Sequence, residues 1–167
     1  MKDRYNVLFI CTGNSARSLM AEALANALGR ERLQAFSAGS HPEGQAHPLT
    51  LQVLENAGLA TANLRSKSWD EFAGAGAPEM DLIITVCDRA AGETCPTWPG
   101  HPVTAHWSIP DPAAATGTSE QIRKAFSLAL QMLQQRISLL LALRPEAWDR
   151  LSMKTRVEQI DQTPSAT

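Results

Sequence analysis

Tyr5-Asn6-Val7-Leu8-Phe9-Ile10-Cys11-Thr12-Gly13-Asn14-Ser15-Ala16-Arg17-Ser18-Leu19-Met20 decides the fold. Tyr5 to Ile10 is short, β-rich and almost continuously apolar, which suits a strand covered on both faces in a parallel sheet. Thr12, Gly13, Asn14 and Ser15 are all turn formers. From Ser18 the pattern becomes helical: Leu19, Met20, Ala23, Leu24, Ala27 and Leu28 share one stripe, and Gly29 is placed to cap it. The stretch predicts strand, tight loop, helix.

The alternation continues outward from there. Gln34 to Ala38 reads as a second strand stopped at Gly39, Leu49 to Ala57 as a helix ended at Gly58, and Trp69 to Phe72 as a short helix. Met80 to Val86 predicts a third strand and Val103 to Trp107 a fourth, with a helical turn near Arg89 to Glu93 in the loop between them. A Thr118 or Ser119 cap opens a long helix running to about Leu143, with Ile122, Phe126, Leu130, Leu133 and Ile137 on one stripe. Strands alternating with helices predict a parallel α/β sheet. Residues 1–144 are expected to form the domain. Residues 145–167 are expected to form a helical extension, opened by Pro145, and a flexible tail from Thr163. In such sheets ligands sit beyond the carboxyl ends of the strands. The loops after Ile10, Ala38, Val86 and Trp107 share that edge, and two of them carry all three cysteines.

A length of 167 residues and a net charge of −2 fit one globular domain. They argue against nucleic acid or an anionic membrane as the main partner. No apolar run is long enough to span a bilayer, and the start shows no secretory signal, so a cytoplasmic monomer is expected. Three cysteines do not suggest a disulfide scaffold, and no Cys-x-x-Cys or His-x-x-x-His spacing predicts a metal site. His41, His47, His101 and His106 read as loop or surface residues, and Trp98 and Trp107 as packing residues.

The loop itself has a definite chemistry. A strand ends in a cysteine and a helix begins near Arg17, so backbone N–H groups and the helix N-terminus can surround an anion. Gly13 and Asn14 tolerate the positive φ such a nest requires. Arg17 can fork two hydrogen bonds onto a tetrahedral oxyanion, and Ser18 can reach the Cys11 sulfur. The same dipoles favour a thiolate at Cys11. A buried strand-end thiol beside a surface arginine is the plainer alternative. The Gly-Asn pair and the flanking strand and helix favour the anion site, formed by Thr12, Gly13, Asn14, Ser15, Ala16 and Arg17.

Val7 to Ser18 resembles the phosphate loop of the low-molecular-weight protein tyrosine phosphatase superfamily. It is closer still to that superfamily's arsenate reductase branch, in which the loop reads Cys-Thr-Gly-Asn-Ser-x-Arg-Ser. Met20-Ala21-Glu22 and Ser37-Ala38-Gly39 extend the likeness, which covers roughly residues 5 to 142. It implies a three-layer sandwich, with a four-stranded parallel sheet between helices on both faces. It further implies Cys11 as nucleophile, supported by Arg17 and Ser18, and Asp111 of Asp111-Pro112 as the proton donor.

A phosphatase needs only the first cysteine, whereas reducing As(V) to As(III) needs two electrons, which thiols can supply. Arsenate reductases that form an internal disulfide place two cysteines in the loop after the third strand. Cys87 and Cys95 resemble that pair, at a spacing that differs by about a residue from the best-known members. The position of a further loop cysteine in those members is Ala16 here, and it is no part of the relay. The resemblance thus implies arsenate as substrate, phosphate or sulfate as competing oxyanions, and no bound cofactor. The external reductant would be thioredoxin, or glutaredoxin with glutathione. A phosphotyrosine phosphatase is the alternative, disfavoured because Ala113-Ala114 replace the family's aromatic pair. A non-catalytic anion sensor is a third reading, disfavoured by Asp111 and Ser18. Asn14, Glu22 and Ser37 match positions that in some members help hold potassium. Lys67 stands in the segment where an aspartate would be needed, so potassium binding is not expected, and Asn14 and Ser37 are expected to brace the loop.

Overall fold

The computed structural model describes residues 4–87, 98–100, 102–148 and 150–162. Cys95, His101, the turn expected near Arg89 to Glu93 and the tail from Thr163 lie outside the described residues.

Four strands form one sheet: β1 (Tyr5–Cys11), β2 (Leu33–Gly39), β3 (Leu82–Thr85) and β4 (Val103–His106). Their order is β2-β1-β3-β4, and every pairing is parallel. β1 is central. Val7 and Phe9 point to one face and Leu8 and Ile10 to the other, and all four are fully buried, so both faces are covered. β4 is an edge strand and alternates accordingly, with Val103 and Ala105 buried and Thr104 exposed.

The helices are α1 (Arg17–Leu28), α2 (Pro48–Asn56), α3 (Ser119–Leu141) and α4 (Arg150–Asp161). Thr118 caps α3 in a reciprocal box: Gln121 N donates to Thr118 Oγ1 at 3.1 Å, and Thr118 N donates to Gln121 Oε1 at 2.8 Å. Such a cap stabilises a helix by roughly 1 kcal/mol. Phe126, Leu133, Ile137 and Leu140 of α3 are fully buried, and the helix packs on α1 and α2. Trp69–Phe72 forms the short helix expected, of the 3-10 type.

The C-terminal stretch departs from the single short helix expected after Pro145. Pro145–Trp148 forms a 3-10 turn, and α4 follows. Met153, Val157 and Ile160 of α4 are buried, at the spacing of one helical face. Lys154 Nζ donates to the Thr104 carbonyl at 3.0 Å, so the helix also lies along the exposed edge strand.

Candidate active site

The loop from Cys11 to Arg17 forms the floor of a cleft of about 620 Å³ at the carboxyl edge of the sheet. Its shape follows from where its carbonyls go. Thr12 O accepts from His41 N, Gly13 O from Glu43 N, and Ser15 O from His47 N, each at 2.9 Å. Ser15 O also takes the Thr50 hydroxyl at 2.8 Å, and Gly13 O the Ser66 hydroxyl at 3.2 Å. Engaging the carbonyls outside the loop is the arrangement that frees backbone N–H groups for an anion. Helix α1 begins at Arg17 with no side-chain cap and no acidic residue in its first turn, so its N-terminal potential is not neutralised locally.

Asn14 is the pivot. It is fully buried and is the only described non-glycine residue at positive φ, 47°. Its side chain is held on three sides. Oδ1 accepts from Lys67 N at 2.9 Å, and Nδ2 donates to Ser18 Oγ at 2.7 Å and to Ser37 Oγ at 3.1 Å. Ser37 Oγ donates onward to Glu22 Oε1 at 2.8 Å. Lys67 Nζ lies 3.6 Å from Glu22 Oε1 and donates to Arg65 O at 2.9 Å. The ammonium of Lys67 therefore occupies the ground between Glu22 and Ser37. Burial pushes the Glu22 carboxyl up and the Lys67 ammonium down, each partly offset by the other's charge. The bracing role expected of Asn14 and Ser37 is the one the geometry gives them. Ser18 Oγ accepts from the Asn14 amide at 2.7 Å, which uses a lone pair and leaves the hydroxyl proton to donate.

Cys11 and Cys87 are both buried, and both are free thiols. Both line the cleft, and Thr12 Oγ1 lies 3.5 Å from Cys87 Sγ. The sequence points to a thiolate at Cys11, but this state differs. The hydrogen-bonding influence of the nearby Cys87 side chain, then burial, then the Cys87 charge hold the Cys11 thiol well above its usual range, against the downward pull of Arg17 and of the Asn14 backbone.

Arg17 and Asp111 complete the cleft. Arg17 NH1 donates to Ile109 O at 3.0 Å, and NH2 lies 3.7 Å from Asp111 Oδ2. Arg17 Nε is buried and has no hydrogen-bond partner among the described residues, a donor left for an anion in the nest. Asp111 Oδ1 accepts from Ala113 N at 3.0 Å, capping the 3-10 turn Pro112–Ala114 and fixing the carboxyl at the rim.

Cys11, Arg17, Asp111 and Cys87 thus converge on one cleft, together with Thr12, Gly13, Ser15 and Ala16. Asn14 and Ser18 stand behind them. His41 and Glu43 also line the cleft; His41 is the exposed loop residue expected, and the sequence motifs do not point to Glu43. Their place in the loop after β2, on the ligand edge, was the available signal. His47 instead caps α2 through Nδ1 and packs on Phe126, and His106 contacts Thr85 and Ser108. Trp98 and Trp107 are packing residues, against Trp69 and Phe9 respectively. No group of metal-binding side chains is found among the described residues.

The chain is similar to known proteins. An arsenate reductase of Bacillus subtilis (strain 168) is 36% identical over 115 residues, spanning 69% of this chain and 79% of that protein. A solved arsenate reductase in its phosphate-binding state has a TM-score of 0.67 at 26% identity, covering 83% of this chain and 97% of that one. The thioredoxin-dependent arsenate reductase of Corynebacterium glutamicum has a TM-score of 0.55 at 25% identity, covering 83% of this chain and 64% of that one. Residues 6–154 match the low molecular weight phosphotyrosine protein phosphatase family. The chain belongs to that family, in the branch formed by its arsenate reductases.

Proposed function

We propose that the protein reduces arsenate to arsenite in the cytoplasm, as a monomer serving arsenic detoxification, with Cys11 as nucleophile and Cys87 and Cys95 as a thiol relay. The presence of two free thiols, Cys11 and Cys87, in the lining of one oxyanion cleft carries this reading. A hydrolase needs one sulfur there, whereas a reductase needs the second within reach of the first.

The steps balance. Hydrogen arsenate enters the nest and is gripped by the loop N–H groups and by Arg17. The Cys11 sulfur attacks arsenic, and one oxygen leaves as water, carrying the thiol proton by way of Asp111. Cys87 then attacks the Cys11 sulfur. The sulfur–arsenic bond breaks, its electron pair stays on arsenic, and arsenite departs from a Cys11–Cys87 disulfide. Cys95 attacks Cys87 in turn, freeing Cys11 and leaving a Cys87–Cys95 disulfide for an external dithiol. Thioredoxin is the favoured donor, because the C. glutamicum relative depends on it. Glutaredoxin with glutathione is the other candidate. Phosphate and sulfate should compete for the nest. Among the described residues lining the cleft none is Phe, Tyr or Trp, and Ala113 stands on the wall. A small oxyanion fits such a wall better than a phosphotyrosine ring.

The test is turnover of arsenate with purified thioredoxin or glutaredoxin systems, followed by disulfide mapping. Cys11→Ser should abolish all activity. Cys87→Ser and Cys95→Ser should each stop arsenate turnover but leave slow hydrolysis of an aryl phosphate, which needs only Cys11, Arg17 and Asp111. Unchanged arsenate turnover in both relay variants would sink the proposal.

A further inference from the structure

The loop that carries Asp111 is held from behind by the C-terminal helix. The last ladder bond of the β4 segment is Trp107 N to Thr85 O at 2.8 Å. The next donor, Ser108 N, has left the sheet, and Asp161 Oδ1 accepts from it at 2.8 Å. Arg136 Nε lies 3.4 Å from that same oxygen, on an arginine that is itself buried. One residue back, the fully buried Trp107 donates its indole N–H to Val157 O at 3.0 Å. One residue on, Ile109 O takes the Arg17 guanidinium. Asp111 then faces the same guanidinium. From Trp107 to Asp111 the loop is tied at its base to α4 and at its tip to Arg17. The two α4 residues that make the tie, Val157 and Asp161, lie beyond residues 6–154, the stretch matched to the family.

We propose that α4 is a built-in clamp on the proton-donor loop and that Asp161 is a positioning residue for Asp111. The proposal rests on the reading of Asp111 as general acid. Asp161 touches no reacting atom. It fixes the N–H of Ser108, and with it the start of the short chain that delivers Asp111 to the rim. The Arg136 guanidinium holds the Asp161 carboxylate in place, so the clamp is anchored to α3 as well. A proton donor works only within hydrogen-bond reach of the leaving oxygen, and a shift of about 1 Å can cost on the order of a hundredfold.

The experiment uses the full chain and two aryl phosphates, one with a good leaving group and one with a poor one. Only the poor leaving group depends on protonation. Asp161→Ala should slow the poor substrate by about tenfold, below the full 10²–10⁴-fold worth of a general acid, and leave the good substrate near wild type. Asp161→Asn keeps an acceptor oxygen for Ser108 N and should restore most of the rate. Trp107→Phe keeps the ring packing, loses the bond to Val157 O, and should show the same selective defect in a milder form, with the fold checked by its thermal transition. In an Asp111→Asn background, Asp161→Ala should have no further effect. Equal slowing of both substrates, or the same loss with and without Asp111, would reduce α4 to a stabilising element and overturn the clamp. If Asp111→Asn alone leaves the poor substrate unaffected, the acid assignment fails instead.

Discussion

Cys11, which ends β1, and Cys87, two residues beyond β3, are buried free thiols that line the same cleft. The neighbouring Cys87 side chain is the largest influence raising the Cys11 pKa. Its removal in Cys87→Ala should therefore lower the apparent pKa of Cys11, read from the pH dependence of iodoacetamide alkylation with the site mapped. Arg17→Ala should move it the other way. An alkylation profile unchanged by Cys87→Ala would mean that burial alone sets the thiol.

The same raised pKa has a consequence for stability. A folded state that holds a thiol proton more tightly than the unfolded chain gains stability that is full below the unfolded thiol pKa. The gain is lost as pH rises through the higher folded value. Urea unfolding under reducing conditions should thus show stability falling with alkaline pH, and falling less steeply in Cys11→Ala. Identical slopes in the two proteins would contradict this.

Gly39 should tolerate no side chain. A Cβ there would lie 2.5 Å from Thr12 O and 3.0 Å from Asn14 N, so the end of β2 and the oxyanion loop would have to part. Gly39→Ala should weaken phosphate or sulfate inhibition by about tenfold and cost about 1–3 kcal/mol of stability. Gly74→Ala is the control, since nothing lies within 4 Å of its Cβ position. Equal inhibition in the two variants would show that the loop yields freely.

The Lys67–Glu22 pair can be tested as a unit. Lys67 is 8% exposed, and removing its charge leaves a buried carboxylate without its cation. Lys67→Met should cost about 3 kcal/mol, and adding Glu22→Gln should recover part of it, because the stranded charge is then gone. Lys67 N still donates to Asn14 in either protein, so the loop keeps its backbone brace. Strictly additive losses in denaturant titrations would show that the two side chains are uncoupled.

The strand, loop and helix at the start of the chain were legible because they are local. Apolar runs, turn formers and a helical stripe announce themselves within a few residues, and the order of elements then placed Cys11, Cys87 and Asp111 on one edge. What escaped was long-range. Arg65 to Ser68 has no pattern of its own, and Lys67 gains its meaning only when its N–H meets Asn14 and its ammonium meets Glu22. Met153, Val157 and Ile160 did carry a helical spacing, but docking on Trp107 could not be read from it. The thiolate expectation at Cys11 weighed the helix and Arg17, and it lacked the neighbouring Cys87 and the burial that outweigh them.

Arg17 offers the sharpest separation of charge from geometry. One guanidinium reaches Ile109 O, stands beside Asp111 and keeps a buried Nε–H with no partner among the described residues. Lysine would preserve the positive charge but lose the planar fork. Arg17→Lys should lower kcat/KM for arsenate and for an aryl phosphate by about 10²–10³-fold, the usual cost of removing an oxyanion donor. Phosphate inhibition should weaken in parallel, because the same fork grips the resting anion. If charge alone sufficed, Arg17→Lys would bind phosphate as tightly as the parent, and the fork would have no part in recognition.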